Sequence, residues 1–423
     1  MFFALTRYKY LDYICSVVLN LSLKKNKIHT FRFTEIVLLL TQTPSIMIKP
    51  QFVILTMITF FFCLSANGQN NAEAIKYYNE GIGAYKAKEY DNAIKYYSKT
   101  IELDAKYAKA YYNRGNCYIK NKNYGEAVKD FTAAGKIDPT YSKAFLYKGY
   151  AQMQIKQYER SIISFTRAIK LNPKLSKAYL HRGTSMMKME RYPSAIEDFG
   201  IALKKDPDSY YAYYNRASCH QKQESYTDAI PDLDECIRLK PQKHNAYQTR
   251  GRCNMLLEKY DEAISDFSLV LDRKAQHKEA IYYRAFCKLK NDDYKGANED
   301  FKQTLLVNPT NKSAIQNKAI CSFTLELYEE AVNDYSNLIR IQPEEAGNFV
   351  NRGIAKLKIE NYSGARKDFT RAIELNQKFA EAYYNRANAQ MKLSDEAAAC
   401  ADMKNAVKYG YKKAMDHVKD LCG

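Results

Sequence analysis

The feature of this sequence that most constrains its fold is a 34-residue period. Ten consecutive units follow one another without an insertion or a deletion, and they begin at residues 74, 108, 142, 176, 210, 244, 278, 312, 346 and 380. The first residue of each unit is numbered position 1 below. A period of this length indicates one supersecondary unit that buries its apolar face only by stacking on its neighbours.

Small and large residues recur at fixed positions of the unit. Position 8 is Gly or Ala and position 20 is Ala or Ser in all ten units, and Pro occupies position 32 in six of them. The residues at position 24 are all large and apolar: Tyr97, Phe131, Phe165, Phe199, Leu233, Phe267, Phe301, Tyr335, Phe369 and Met403. Small residues let two helices approach closely, and Pro prevents the second helix from continuing. The pattern therefore predicts ten helical hairpins.

The spacing and these residue types resemble the tetratricopeptide repeat family over residues 74–407. The resemblance implies an all-α fold, a right-handed α-solenoid of ten antiparallel helix pairs. Two positions depart from the family pattern. Position 4 is mostly Tyr or Phe where the family often has Trp, and position 7 is Arg or Lys in nine of ten units where the family often has Leu.

The cations at position 7 are matched by Asp at position 23 in eight of ten units. The first unit has Glu80 and Tyr96 at these positions, so the cation and the carboxylate are lost together. We therefore expect an ion pair between the two helices of a hairpin, repeated along the array. An exposed pair of this kind contributes about 0–1 kcal/mol.

Residues 408–423 are expected to cap the array. Gly410 can end a helix, and residues 412–422 predict a short helix with Ala414, Val418, Leu421 and Cys422 on one face. Such a helix covers the last apolar face of a solenoid. Pro231, at position 22 of the fifth unit, should remove one hydrogen bond from the second helix or bend it.

The cysteines are of two kinds. Five occupy position 10, where the other units have Ala, Ser or Gly: Cys117, Cys219, Cys253, Cys287 and Cys321. Neighbouring units should place them about 8–10 Å apart, beyond the roughly 7 Å between Cα atoms that a disulfide allows, so free buried thiols are expected. Cys400 and Cys422 could meet where the cap folds back, and they are the candidate disulfide.

The chain before the repeats has the layout of a secretory signal. Lys49 precedes thirteen apolar or near-apolar residues, 52–64, and small residues follow. This stretch is shorter than the roughly 20 residues that span a bilayer. We expect a signal peptide at residues 47–68 that is cut after Gly68, with Ala66 as a second option. An uncleaved anchor is the alternative, and residues 1–46 are interpreted as an extension upstream of the true start at Met47.

The formal net charge is +18, and residues 1–68 hold seven basic and two acidic side chains, which leaves +13 for the remainder. A basic surface favours acidic partners, although surplus Lys can also simply keep a helical surface soluble. The sequence contains no HExxH, no CxxC, no Gly-rich phosphate loop and no GxSxG motif. Its carboxylates repeat with the array. We therefore expect no enzyme activity, no cofactor, no metal site and no small-molecule substrate.

The family resemblance implies that positions 2, 5, 6, 9, 12 and 13 of the first helices line a concave groove. Asn and Tyr recur at these positions, and Lys stands at position 13 in seven units. The candidate ligand-binding residues are Tyr78, Asn79, Tyr112, Asn113, Asn116, Tyr214, Asn215, Tyr282, Asn317, Asn351, Tyr384, Asn385 and Asn388. Carboxamides can pair with a peptide backbone and Tyr supplies rigid contact area. Alternatively, these Asn side chains satisfy neighbouring repeats and the Tyr rings only cover the groove.

Related arrays hold the acidic tails of heat-shock chaperones with Lys at position 5 and Arg at position 6, and no unit here has either. The sequence thus predicts a non-catalytic scaffold that binds an extended peptide or partner protein, of acidic character, in the bacterial cell envelope, in the periplasm or outside the cell. The alternative is a binder of anionic polysaccharide or another polyanion. Nucleic acid is expected as a partner only if the signal segment is not used, and contact with a membrane only through that segment.

Overall fold

A computed structural model describes residues 71–422 of the chain. The proposed upstream extension, residues 1–46, and the proposed signal peptide, residues 47–68, lie outside the described residues. Residues 77–422 form one compact unit.

Residues 71–422 form twenty-one α-helices and no strand. Helix α1 spans residues 71–86. The helices that follow are α2 (Tyr90–Leu103), α3 (Ala108–Lys120), α4 (Tyr124–Ile137), α5 (Ser142–Gln154), α6 (Tyr158–Leu171), α7 (Ser176–Lys188), α8 (Tyr192–Lys205), α9 (Tyr210–Lys222), α10 (Tyr226–Leu239), α11 (His244–Leu256), α12 (Tyr260–Arg273), α13 (Lys278–Lys290), α14 (Tyr294–Val307), α15 (Lys312–Thr324), α16 (Tyr328–Ile341), α17 (Ala346–Lys358), α18 (Tyr362–Leu375), α19 (Ala380–Lys392), α20 (Glu396–Lys408) and α21 (Ala414–Cys422).

The helices are arranged as consecutive pairs along the chain. In repeats two to ten, the first helix begins at position 1 of the 34-residue unit. Each helix packs mainly on the helix before it and the helix after it. The prediction of an all-α solenoid of ten helix pairs followed by a cap helix is therefore confirmed. None of the described helices has the length and the apolar character that a membrane span requires.

The two helices of each pair are joined by a tight turn whose left-handed residue is never glycine. Position 15 has φ between 57° and 64° in all ten repeats. In the first repeat, the N–H of Lys88 donates to Tyr85 O at 3.1 Å, and the N–H of Glu89 donates to Ala84 O at 2.9 Å. These are the two bonds of a Schellman motif, which satisfies the carbonyl groups at a helix end. Main-chain hydrogen bonds therefore fix the turn although L-residues rarely adopt this conformation.

The two helices of a hairpin come into contact where position 8 meets position 24. A Cβ atom added to Gly353 would lie 2.6 Å from a ring carbon of Phe369, and one added to Gly149 would lie 2.7 Å from Phe165. The rings at position 24 are fully buried or nearly so. Phe165 also reaches the next hairpin, where its ring lies 5.8 Å from that of His181. Position 8 therefore allows the close helix approach that its small residues predict, and the ring at position 24 fills the space between neighbouring hairpins.

The predicted ion pair between positions 7 and 23 forms in eight repeats. In the second repeat, Arg114 donates to both carboxylate oxygens of Asp130 at 2.8 Å. The expectation of exposed pairs is wrong, because Asp130 is only 5% exposed and all eight aspartates are buried. Burial raises the pKa of the Asp130 carboxyl, and the hydrogen bonds from Arg114 oppose this. A buried charge of this kind depends on its partner.

Six of these arginines also bond to the preceding repeat. Arg114 donates to Ser98 Oγ at 2.9 Å, and Arg182 donates to Thr166 Oγ1 at 3.1 Å. The acceptor stands at position 25 of the preceding second helix, so one guanidinium joins three helices. We call this contact the bridging hydrogen bond. The acceptors are Ser98, Thr166, Asp234, Ser268, Ser336 and Thr370.

The last hairpin is covered by α21. This helix begins at Ala414, and Lys412 and Lys413 belong to the preceding turn, so the expected start at residue 412 is two residues too early. Ala414 is fully buried against Met403 and Ala406. Cys400 and Cys422 form a disulfide with their Cα atoms 5.4 Å apart. In α10, the helix runs without interruption through Pro231, which is exposed in its second turn.

We expect Gly183→Ala to lower the free energy of unfolding by about 1–3 kcal/mol, because the added methyl group overpacks against Phe199. Phe199→Leu should relieve the clash, since the fifth repeat combines Ala217 with Leu233 at the same positions. In a double-mutant cycle measured by urea unfolding, the double variant should be at least about 0.5 kcal/mol more stable than the sum of the single effects implies. Additive effects would contradict the proposed contact.

Removal of the carboxylate with Asp130→Leu should cost about 3–5 kcal/mol, because Arg114 then remains partly buried without its partner. The paired variant Arg114→Met/Asp130→Leu should recover most of this loss. Urea unfolding of the three proteins measures both effects. A loss below about 1 kcal/mol for Asp130→Leu would show that the pair behaves as a surface pair.

Two first helices carry a buried polar atom without a hydrogen-bond partner among the described residues, Asn348 Nδ2 in α17 and Gln390 Oε1 in α19. Asn348 stands at position 3, where the second to eighth and the tenth repeats have Ala. It is 6% exposed, and its Nδ2 atom has no hydrogen-bond partner among the described residues. Asn348→Ala should therefore raise the free energy of unfolding by about 1–3 kcal/mol. Ala314→Asn at the same position of the preceding repeat is the reverse experiment and should lower it.

Candidate functional site

The candidate site consists of positions 2, 5, 6, 9, 12 and 13 of the ten first helices, here called the first-helix face. All thirteen candidate residues are at least partly exposed, and Asn79 and Asn351 are the most exposed of them. None of the thirteen candidate residues is buried in the core. The candidates come from seven different repeats, so they form a series along the array and not a single pocket.

The Tyr rings at position 5 pack against the turns that follow their own hairpins. The ring of Tyr78 lies 4.9 Å from that of Tyr107, and the ring of Tyr112 lies 4.9 Å from that of Tyr141. In the last repeat, Tyr384 lies 4.7 Å from Tyr411. These rings therefore contribute to packing, in line with the alternative interpretation that the Tyr rings cover the groove. Burial raises the pKa of Tyr112 to about 12, so its hydroxyl is a neutral donor and acceptor at neutral pH.

The carboxamides at position 6 bond in part to neighbouring groups of the array. Asn113 donates to Tyr78 Oη at 3.0 Å, and Asn215 donates to Thr184 Oγ1 at 3.2 Å. Both bonds join adjacent repeats. Asn385 donates to the backbone oxygen of Glu381 at 3.0 Å. In each of these three residues, one N–H of the carboxamide is used by a hydrogen bond within the array. The carboxamide oxygen remains available to a ligand.

The structure brings together only some of the candidates. Tyr78 meets Asn113, and Asn116 hydrogen-bonds to the hydroxyl of Tyr112. Tyr282 contacts Phe301 at a ring distance of 6.0 Å, and Tyr214 lies 3.4 Å from the hydroxyl of Thr249. Asn317, Asn351 and Asn388 have no hydrogen bond to other described residues. These three carboxamides are free to bind a ligand.

Tyr147 and Tyr150 of the third repeat and His181 of the fourth were not among the candidate residues predicted from the sequence. Tyr147 and His181 occupy position 6, where six other repeats have Asn. The ring of His181 lies 5.4 Å from that of Tyr150. Burial, with a smaller contribution from Lys177, lowers the pKa of His181 to about 4, so this ring is neutral at neutral pH. The change of residue type at position 6 is the sequence signal that could have identified this aromatic segment.

The charge of the first-helix face is strongly one-sided. Its positions hold eleven basic and two acidic side chains, a net charge of +9. This is most of the +13 carried by residues 69–423. The ten lysines of the face are all exposed: Lys86, Lys109, Lys120, Lys143, Lys177, Lys188, Lys222, Lys290, Lys358 and Lys392. The two acids are Glu279 and Glu381, so the face contains no acid in its first six repeats.

Two kinds of catalytic group, a metal-ligand cluster and a reactive thiol at position 10, are not found in residues 71–422. No three His, Cys, Asp or Glu side chains in residues 71–422 lie close enough together to hold a metal ion. The cysteines at position 10 are free and buried, and burial raises the pKa of Cys117, Cys219 and Cys287 to about 12. Such thiols are protonated at neutral pH and are poor nucleophiles. A shallow cleft of about 280 Å³ lies between α18 and α19, among Arg366, Arg371 and Gln390, and it contains no candidate residue.

Models of the tetratricopeptide repeat match residues 108–141, 142–175 and 180–244, and a further TPR repeat model matches residues 358–394. No curated protein sequence shows a significant match. Similar solved structures include the C-terminal part of a TPR repeat-containing protein from Cytophaga hutchinsonii, with 22% identity, a TM-score of 0.50 and coverage of 57% of this chain and 98% of that chain.

Two further structures are similar over shorter or less closely superposed regions. A tetratricopeptide repeat protein from Parabacteroides merdae has 20% identity and a TM-score of 0.39, with coverage of 58% of this chain and 96% of that chain. YrrB, described as a TPR protein with an unusual peptide-binding site, has 21% identity and a TM-score of 0.42, with coverage of 44% and 97%. At these identities the likeness concerns the fold alone. From the repeat models and the helix pairs together, the chain belongs to the tetratricopeptide repeat family.

Proposed function

We propose that this protein is a non-catalytic interaction scaffold that binds an extended acidic polypeptide along the first-helix face. The observation that carries this proposal is the net charge of +9 on that face, whose ten lysines are all exposed. A surface lined by one sign of charge raises the local concentration of a partner of opposite sign. Partly exposed tyrosines and free carboxamides on the same face supply contact area and hydrogen bonds to a peptide backbone.

We further propose that the protein works in a bacterial cell envelope. The segment before the repeats, residues 47–68, supports this location because it has the layout of a secretory signal. The disulfide between Cys400 and Cys422 supports it as well, because such bonds persist in oxidising compartments. The alternative ligand is an anionic polysaccharide, which the same basic face would also attract. The tyrosines and carboxamides favour a polypeptide.

The proposal is tested with three charge reversals at position 2 of consecutive repeats, Lys109→Glu, Lys143→Glu and Lys177→Glu. Binding of a fluorescein-labelled oligoglutamate peptide, measured by anisotropy, should weaken about tenfold or more, because three favourable charges become repulsive. The matched control carries Lys170→Glu, Lys204→Glu and Lys302→Glu on exposed positions of second helices. It changes the net charge equally and should lose much less affinity.

Equal losses in the two triple variants would mean that net charge, and not the first-helix face, attracts the peptide. A titration with polygalacturonate under rising salt distinguishes the alternative ligand. Binding of a polyanion through counterion release falls steeply with salt, whereas hydrogen bonds and aromatic contacts to a polypeptide persist. Tighter binding of polygalacturonate than of an oligoglutamate of equal charge at every salt concentration would overturn the proposed ligand class.

A further inference from the structure

The third repeat departs from the ion-pair pattern of the array. Its position 7 is Lys148, as basic as in its neighbours, but its position 23 is Ser164 in place of Asp. The hydroxyl of Ser164 is used inside the hairpin, where it donates to Gln152 Oε1 at 2.7 Å. Lys148 therefore lacks the carboxylate that neutralises the cation at position 7 in eight other repeats.

Lys148 has no other acidic partner among residues 71–422. It is half-buried, and burial together with the nearby Lys136 lowers the pKa of its ammonium group. An arginine at position 7 would form the bridging hydrogen bond with position 25 of the preceding second helix. Here that residue is Thr132, whose hydroxyl donates to Val128 O at 2.7 Å. The charge of Lys148 is thus left without compensation from either neighbouring second helix.

Two further basic groups lie around the same place. The ring of Phe145, one turn before Lys148 in α5, packs over Gly135, which adjoins Lys136. The guanidinium of Arg167 lies 5.8 Å above the same ring and donates to Pro139 O at 3.3 Å. Arg167 therefore stacks on Phe145, and Lys136, beside the glycine on which that ring packs, is close enough to Lys148 to lower its pKa. We call Lys136, Lys148, Arg167 and Phe145 the Lys148 patch. None of them belongs to the first-helix face, because they occupy positions 29, 7, 26 and 4.

We propose that the Lys148 patch is a second binding site, at which a carboxylate of the acidic partner polypeptide neutralises Lys148, the cation that lacks an aspartate at position 23. The inference rests on the acidic partner proposed for the first-helix face but concerns a separate surface. A carboxylate is the group that neutralises the cation at position 7 in eight other repeats. The half-buried position of Lys148 excludes water from one side of the ion pair and thereby strengthens it.

The patch is tested by lysine acylation of the full chain, followed by mass spectrometry of each lysine. Addition of an oligoglutamate peptide should slow the acylation of Lys148 about fivefold, the factor that a modest ion pair confers. An oligoglutamine peptide should have no effect. In Ser164→Asp, the restored internal carboxylate should slow acylation of Lys148 even without peptide. Oligoglutamate should then give no further protection of Lys148, and the midpoint of thermal unfolding should rise. Ser164→Asn is the neutral control of similar shape and should keep the protection.

The same measurement separates this inference from the proposed function. In the Lys109→Glu, Lys143→Glu and Lys177→Glu variant, loss of affinity at the first-helix face should leave the protection of Lys148 detectable at higher peptide concentration. Protection of Lys109, Lys143 and Lys177 without protection of Lys148 would overturn the second site and leave the first intact. Protection that persists in Ser164→Asp would also overturn it, because Lys148 would then not be the group that binds the carboxylate.

Discussion

The close approach of position 8 to the side chain at position 24 is the contact on which the rest of the array depends. In six repeats a glycine lies so close to the ring or side chain opposite that a Cβ would fall within about 3.1 Å of it. The separation of the two helices then sets the distance at which all other pairs meet, including the bidentate contact of Arg114 with Asp130. A hairpin with a wider spacing could not bury that carboxylate and satisfy it at once.

Polar and apolar contacts both cross from one repeat to the next, but only the polar contacts are directional. The apolar clusters draw on two or three consecutive hairpins, as those around Phe165 and Phe267 do. The arginine at position 7 touches three helices, because Arg182 bonds to Asp198 in its own hairpin and to Thr166 in the one before. Register between hairpins is therefore fixed by directional bonds as well as by non-directional packing. This explains why a buried charged row, costly in isolation, can be part of a stable repeat.

The sequence predicted the architecture well because every rule of the fold repeats ten times. The period gave the starts of the first helices, and the joint loss of Glu80 and Tyr96 from the ion-pair pattern identified the partners of position 7. Burial of those pairs was not predictable, since the pattern Arg-Asp looks the same on a surface. The role of position 25 was missed because Ser, Thr and Asp share a function there without sharing a residue type. At the candidate site, the packing of the tyrosines depends on side-chain directions that spacing does not encode, as Tyr78 on Tyr107 illustrates.

The bridging hydrogen bond is missing at three junctions between consecutive repeats. Between repeats four and five, Gly200 has no side chain that could accept a hydrogen bond from Arg216. At the other two junctions position 7 is Lys148 or Lys318 in place of an arginine, so no guanidinium reaches Thr132 or Lys302 at position 25 of the preceding repeat. The array is thereby divided into four blocks, made of repeats one and two, three and four, five to seven, and eight to ten. Apolar packing and single hydrogen bonds connect the blocks; the bonds include those from Arg167 to Pro139 O, from Asn215 to Thr184 Oγ1 and from Asn298 to Ser322 Oγ. These contacts tolerate small rotations better than a guanidinium bound to three helices does. We expect bending to concentrate at these three joints, which would let a long binding face adjust its curvature in steps while the geometry inside each block stays fixed.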